Sequence, residues 1–214
     1  MVARGGLRRS LRLYLVTDRR FCGDRSLEAV VAAAVQGGAS CVQLREKDTD
    51  TREFVALALA LKRLLAPRGI PLVINDRIDV ALACGADGVH LGQSDMPPDL
   101  ARRLLPPHVF IGWSVETPDD VVRSAGLPVD YLGVSPVFDT PTKTDTRTAW
   151  GLEGLRRVRL MTPLPLVAIG GIHAGNAAQV LRAGADGLAV VSALCAAEDP
   201  CAAAQALFER MEAA

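Results

Sequence analysis

Short β-rich runs alternate with longer helical runs along the whole chain: RLYLVT then SLEAVVAAAVQG, CVQLRE then REFVALALALKRLLA, PLVIN then RIDVALACG, GVHLG then PDLARRLL. The second half keeps the rhythm, with VFIGWSV before PDDVVRSAG, DYLGVSPV before GLEGLRRVRLM, PLVAIGG before GNAAQVLRAG and GLAVVS before the final PCAAAQALFERMEAA. The pattern predicts eight β/α units. Strands this short and apolar need cover on both faces, which a parallel sheet ringed by helices supplies. Glycine punctuation agrees: GGAS, CGADG and AGADG precede strands two, four and eight, each a helix-ending glycine followed by a tight turn into a buried strand. Gly38 and Gly85 are 47 residues apart and Gly85 and Gly184 are 99 apart, near two and four units of about 25 residues. No GxGxxG fingerprint follows the first strand, so a closed α/β barrel, a single (β/α)8 TIM barrel, is favoured over an open doubly wound sheet. Residues 11–214 make up the barrel domain, and residues 1–10, MVARGGLRRS, are read as a short basic tail open to disorder.

Length and charge narrow the function. The 214 residues suit one barrel, for which about 200–250 is ordinary. Twenty-four Lys and Arg balance 24 Asp and Glu, so no global field draws the chain to nucleic acid or to a membrane surface. Cys22, Cys41, Cys84, Cys195 and Cys201 are odd in number and lack CxxC spacing, which suggests neither a disulfide framework nor a zinc site and fits a reducing cytoplasm. No apolar run before Asp18 is long enough for a signal-peptide core, and none along the chain approaches the roughly 20 residues needed to span a bilayer. Small-molecule partners are expected, and a homo-oligomer is left open.

In such barrels chemistry gathers at the carboxyl ends of the strands, and the polar residues concentrate there. Strand two ends in Gln43-Leu44-Arg45-Glu46-Lys47, where a period of two points Gln43, Arg45 and Lys47 to one side. Strand three ends in Asn75-Asp76, strand four in Gln93-Ser94-Asp95, strand five near Ser114, strand six in the polar loop VFDTPTKTDTR, strand seven in Gly170-Gly171 and strand eight at Ser192. Each has a plainer alternative. Arg45 and Lys47 alone read as surface cations, Asp76 alone as the cap of a helix starting at Arg77, and the glycines as turn formers. Seven polar strand ends on one rim argue against all of these at once.

Asp76 and Asp95, with few soft ligands nearby, match a hard ion such as Mg2+, which keeps waters and shares phosphate oxygens. Arg45, Lys47 and Lys143 supply three positive charges. A diphosphate ester carries roughly −3 near neutral pH, so with the ion and two carboxylates the local charge comes to about zero. A second anion site is suggested by the backbone N–H groups at Gly171 and at Val191-Ser192, where barrels frequently bind one phosphate. Thr140 and Thr142 can add hydroxyls from the polar loop VFDTPTKTDTR. That loop, longer than the usual β/α connection of about 2–6 residues, is expected to act as a lid.

Together QLREKD, INDR, GADGVHLGQSD, IGWS, GVSPVFDTPTKTDTR, AIGGI and GADGLAVVSAL resemble the thiamine phosphate synthase family over almost the whole chain, from LYLVTD to VVSAL. The resemblance implies an enzyme, a transferase joining 4-amino-2-methyl-5-hydroxymethylpyrimidine diphosphate to 4-methyl-5-(2-hydroxyethyl)thiazole phosphate with release of pyrophosphate. By position in the motifs it implies Gln43, Arg45, Lys47, Asn75, Ser114 and Lys143 on the pyrimidine diphosphate, and Asp76 and Asp95 on Mg2+. It implies Thr140, Thr142, Gly171, Val191 and Ser192 on the thiazole phosphate, with Lys143, Lys47 and Arg45 catalytic through charge. No protein nucleophile is evident, and His90 reads as an interior histidine rather than a base. Ser135, Trp150 and Glu116 depart from the family pattern. Two rivals stand beside the synthase: a thiazole tautomerase of the same fold, which would use a histidine near Glu116, and a non-catalytic protein that binds thiamine precursors, which would not need both aspartates beside three cations.

Overall fold

Alternation within each strand gives the barrel two surfaces. In the computed structural model, which describes residues 4–139 and 149–214, the strands are β1 (Leu13–Val16), β2 (Cys41–Leu44), β3 (Leu72–Asn75), β4 (Gly88–Leu91), β5 (Phe110–Val115), β6 (Tyr131–Val134), β7 (Leu166–Ile169) and β8 (Gly187–Val190). They pair in parallel in sequence order, and β8 closes on β1, with Leu15 opposite both Val42 and Val190. The eight β/α units and the (β/α)8 barrel expected from periodicity are therefore present. Around them lie α1 (Arg4–Ser10), α2 (Leu27–Gln36), α3 (Thr51–Leu65), α4 (Ile78–Cys84), α5 (Pro98–Leu104), α6 (Pro118–Ser124), α7 (Gly151–Met161), α8 (Ala177–Arg182), α9 (Ser192–Cys195) and α10 (Pro200–Glu212).

One set of strand positions, including Leu13, Leu15, Val42, Leu44, Leu72 and Ile74, packs outward with helix residues such as Val31, Phe54 and Leu61 in the larger core. The alternate set, including Tyr14, Val16, Cys41, Val73, Phe110, Tyr131 and Val167, fills the barrel interior. Large and small residues must alternate there to reach close packing. Gly112 is the clearest instance: a Cβ on it would lie 2.0 Å from Tyr131 Cζ. Gly112→Ala is therefore expected to cost about 1–3 kcal/mol, the usual penalty of overpacking, read as a lower denaturation midpoint at unchanged m-value. An unchanged midpoint would show that Tyr131 can move at no cost.

Residues 1–10 were expected as a basic tail; Arg4–Ser10 is instead the helix α1. Leu7 and Leu11, four residues apart on one helical face, are buried and join Phe110 and Val167 at the amino-terminal end of the barrel. The Arg8 guanidinium pairs with Asp186 and donates to Pro163 O (2.8 Å), anchoring the segment.

The residues just before the even strands tie the sheet together on that same end. Ser40 Oγ accepts from Leu13 N (3.0 Å), Asp87 Oδ2 from Leu72 N (2.9 Å), Asp130 Oδ2 from Ile111 N (2.8 Å) and Asp186 Oδ2 from Leu166 N (2.8 Å). The residue before each even strand thus satisfies an N–H at the start of the odd strand before it, the first or second of that strand, a donor whose burial unpaired would cost about 1–3 kcal/mol. The aspartates of the two GADG motifs belong to this structural ring on the end of the barrel opposite the strands' carboxyl ends.

Candidate active site

At the carboxyl ends of the strands the barrel opens into a cavity of about 660 Å³. Gln43, Arg45, Lys47, Asn75, Asp76, Asp95, Ser114, Gly171, Val191 and Ser192 all line it. Thr140, Thr142 and Lys143 lie outside the described residues.

The acidic side is built by local backbone geometry. Asp76 has φ +62°, alone in the left-handed region among the described non-glycine residues, a conformation Asp and Asn tolerate better than other side chains. Its N–H donates to His90 O (2.9 Å), continuing the β3–β4 ladder past the strand end. The helix-cap alternative fails here: α4 begins after Arg77 with no side-chain cap, and the Asp76 carboxylate turns instead to the Lys47 ammonium. Asp95 reaches the same place from the β4–α5 loop, with Oδ2 accepting from Gly92 N at 2.6 Å. Its carboxyl is raised above the ordinary value, by burial first and then by a hydrogen bond with the Asp76 carboxyl, while the Gly92 N–H and Lys47 pull the other way. Two carboxylates sharing one pocket resist joint ionisation unless positive charge joins them.

Arg45 is placed by β1. Thr17 Oγ1 accepts from its backbone N–H (3.1 Å), and its guanidinium lies 3.8 Å from the buried Asp18 carboxylate. Burial alone would raise the Asp18 carboxyl, but the hydrogen bonds and charge of Arg20, helped by Arg45, hold it below its ordinary value. Asp18 stands in the LYLVTD run, where sequence reading saw only a strand end.

On the opposite side, Gly170 (φ +104°) and Gly171 (φ +64°) admit the start of the polar loop. A Cβ on Gly170 would meet Pro136 Cβ at 2.8 Å, and one on Gly171 would meet Phe138 Cβ at 2.7 Å. Val137 N donates to Ile169 O (2.8 Å) and Phe138 N to Gly170 O (3.1 Å), so the loop leaves β6 pinned along β7. Asn176 then ties this corner, donating to Gly171 O (2.9 Å) and accepting from His173 N (2.9 Å). Beyond β8, Val191 opens the turn of α9, whose first N–H groups at Ser192 and Ala193 have no carbonyl one turn earlier to accept them and border the cavity. The cavity is also lined by Glu116 and His173 from loops and by Tyr14, His90 and Tyr131 from strands; the inward direction of the last three follows from the strand period but their mutual contacts do not.

None of the four buried cysteines resembles an activated nucleophile. Cys22, Cys41, Cys84 and Cys195 are buried. Burial pushes the Cys195 thiol up to about 12 and Cys41 higher still, the reverse of the lowering a thiolate nucleophile requires.

A family model described as thiamine monophosphate synthase matches residues 13–194. A thiamine-phosphate synthase of Albidiferax ferrireducens is 75% identical over 204 residues, covering 95% of this chain and 93% of its own. That of Vibrio parahaemolyticus is 51% identical over 201 residues, covering 94% and 98%. Among solved structures, a thiamine phosphate pyrophosphorylase from Pyrococcus furiosus superposes with a TM-score of 0.90 at 40% identity, covering 97% of this chain and 98% of the other. A 3-hexulose-6-phosphate synthase shares the fold at 17% identity and a TM-score of 0.69, covering 93% and 99%.

Proposed function

Because this chain belongs to the thiamine monophosphate synthase family, a family of transferases, we propose that it joins 4-amino-2-methyl-5-hydroxymethylpyrimidine diphosphate to 4-methyl-5-(2-hydroxyethyl)thiazole phosphate. The observation that carries this reading is the meeting of Asp76, Asp95, Lys47 and Arg45 at one mouth of the cavity. Two adjoining carboxylates beside two cations form a site for a metal-bound polyanion rather than for a neutral ligand.

The donor set fits Mg2+, since both groups are hard carboxylate oxygens. Mg2+ ordinarily completes its shell with water and phosphate oxygens, taking one or two carboxylates from the protein. When bound between Asp76 and Asp95, it would neutralise charge on the departing diphosphate. Arg45 and Lys47, with Lys143 from the polar loop, hold the same leaving group. Gln43, Asn75 and Ser114 hold the pyrimidine, while Gly171, Val191 and Ser192, with Thr140 and Thr142, hold the thiazole phosphate.

The bond between the pyrimidine's exocyclic carbon and the diphosphate oxygen breaks first, its electron pair leaving with pyrophosphate. The 4-amino group feeds electrons into the resulting cation, and the thiazole nitrogen lone pair closes the new C–N bond. No proton need be removed and no protein nucleophile is used, in keeping with the unactivated cysteines. The tautomerase alternative is disfavoured by Glu116 in place of the expected histidine, and the binding-protein alternative by the paired aspartates.

Incubation with both substrates and Mg2+ tests the reading. Thiamine phosphate and pyrophosphate are expected in equal amounts, with formation abolished by a chelator and restored by excess Mg2+. Tight binding of both substrates without product would favour the binding protein, and conversion of the thiazole phosphate alone would favour the tautomerase.

A further inference from the structure

Beneath the charged rim, five polar side chains from five strands form one unbroken hydrogen-bonded line across the barrel interior. Gln43 Nε2 donates to Tyr14 Oη (3.0 Å). Tyr14 Oη lies 3.0 Å from Tyr131 Oη, Tyr131 Oη lies 2.8 Å from His90 Nδ1, and His90 Nε2 lies 2.9 Å from Ser114 Oγ. Tyr14 and Tyr131, 1% and 0% exposed, border the floor of the cavity with their hydroxyls taken up inside the line. Burial raises both phenols well above their ordinary values, so each keeps its proton. The two ends of the line, Gln43 and Ser114, line the cavity.

Counting protons sets the direction. A phenol has one proton, and a neutral imidazole has one N–H and one lone pair. Tyr14 accepts from Gln43, and the acceptor its own proton finds on the line is Tyr131. Tyr131 in turn gives its proton to His90 Nδ1, leaving the imidazole proton on Nε2, which Ser114 Oγ accepts. The Ser114 hydroxyl proton is then left for the cavity. At the other end, with the amide nitrogen committed to Tyr14, the remaining polar atom of Gln43 at the cavity is Oε1, an acceptor.

We infer that Tyr14, Tyr131 and His90 are positioning residues that fix Gln43 as an acceptor and Ser114 as a donor, so that the cavity selects a planar heterocycle offering an amino group to Gln43 and a ring-nitrogen lone pair to Ser114. The selectivity half of this inference rests on the proposed synthase activity, whose pyrimidine carries both groups; the direction of the line does not. A 4-oxo pyrimidine would set a carbonyl oxygen against Gln43 Oε1, leaving two acceptors face to face. Reversing the amide to meet it would break the donation to Tyr14 and upset every bond as far as Ser114. Sites built to hydrogen-bond a polar group reject the analogue lacking it strongly, because buried partners are left unpaired.

The first test is spectroscopic and needs no turnover. In the full chain labelled with 15N-histidine, long-range 1H–15N correlation reads the tautomer of each of the three histidines, with His108→Gln and His173→Gln variants assigning the signals. His90 is expected as the neutral Nε2–H tautomer. An Nδ1–H tautomer would reverse the line and overturn the inference whether or not the protein is a synthase.

The second test compares kcat/KM for the 4-amino and 4-oxo pyrimidine diphosphates. Tyr131→Phe keeps the ring that packs against Gly112 and removes only the hydroxyl. Loss of one buried hydrogen bond, about 1–1.5 kcal/mol, is expected to shrink the preference for the amino substrate about tenfold, with a mixed His90 tautomer. Unchanged preference with an unchanged tautomer would show that Tyr131 is merely core. Absence of product from either pyrimidine, with the Nε2–H tautomer intact, would overturn the synthase reading and its selectivity and leave the direction of the line standing.

Discussion

Asp76→Asn is expected to lower kcat by about 10²–10³, the usual cost of removing one preorganised electrostatic group, while leaving the fold intact. Asparagine is the informative replacement because residue 76 has φ +62°. Asn accepts the left-handed region, whereas most side chains would add backbone strain of about 1–2 kcal/mol and confuse the two effects. The substitution keeps one oxygen towards the ion but removes the charge, so the Mg2+ concentration giving half-maximal rate should rise. Lys47 loses its partner without being stranded, since its side chain is 50% exposed. The checks are steady-state kinetics across a Mg2+ titration and the thermal midpoint. A parental rate at low Mg2+ would remove Asp76 from the reaction.

Lys143→Ala should cost a similar factor, about 10²–10³ in kcat, but with a different signature. Residue 143 lies outside the described residues, so its role rests on charge and on its place in the TPTKTD run. A diphosphate near neutral pH carries roughly −3, and of the three cations assigned to it Arg45 and Lys47 already border the cavity. A lysine supplied by the loop would act on the leaving group rather than on the ion. Added Mg2+ should therefore fail to rescue Lys143→Ala where it partly rescues Asp76→Asn. Turnover at the parental rate would contradict the assignment, as would rescue by added Mg2+.

The barrel was legible because strand alternation and helical spacing are both local patterns, and because eight repetitions leave little freedom in how the chain closes. The rim was legible for the same reason: Gln43, Arg45 and Lys47 fall on one side by the period of two, Asp76 directly follows the apolar strand β3, and Asp95 lies in the short loop after β4. What could not be read depends on contacts between strands. Tyr14 and Tyr131 stand inside LYLV and YLGV as ordinary apolar-run members, and only the stagger of a closed sheet brings their hydroxyls together. Gly112 stands inside VFIGWSV, and nothing in that run places the Tyr131 ring against it. Helix α1 hid behind its arginines, since a buried Leu7 matters only once the barrel end is there to receive it. The GADG aspartates show the opposite case, a recurrent motif whose polar residue satisfies a neighbouring strand's N–H and has no part in the cavity.

The account depends on Asp76 and Asp95 acting together on one ion that also holds the leaving diphosphate. The direct measurement is a crystal structure of the full chain with pyrophosphate and Mn2+ in place of Mg2+, the ion located by its anomalous scattering. One ion is predicted between the two carboxylates, touching both and sharing oxygens with pyrophosphate beside Arg45 and Lys47. Pyrophosphate bound with no ion at that position, or an ion ligated by neither aspartate, would contradict it.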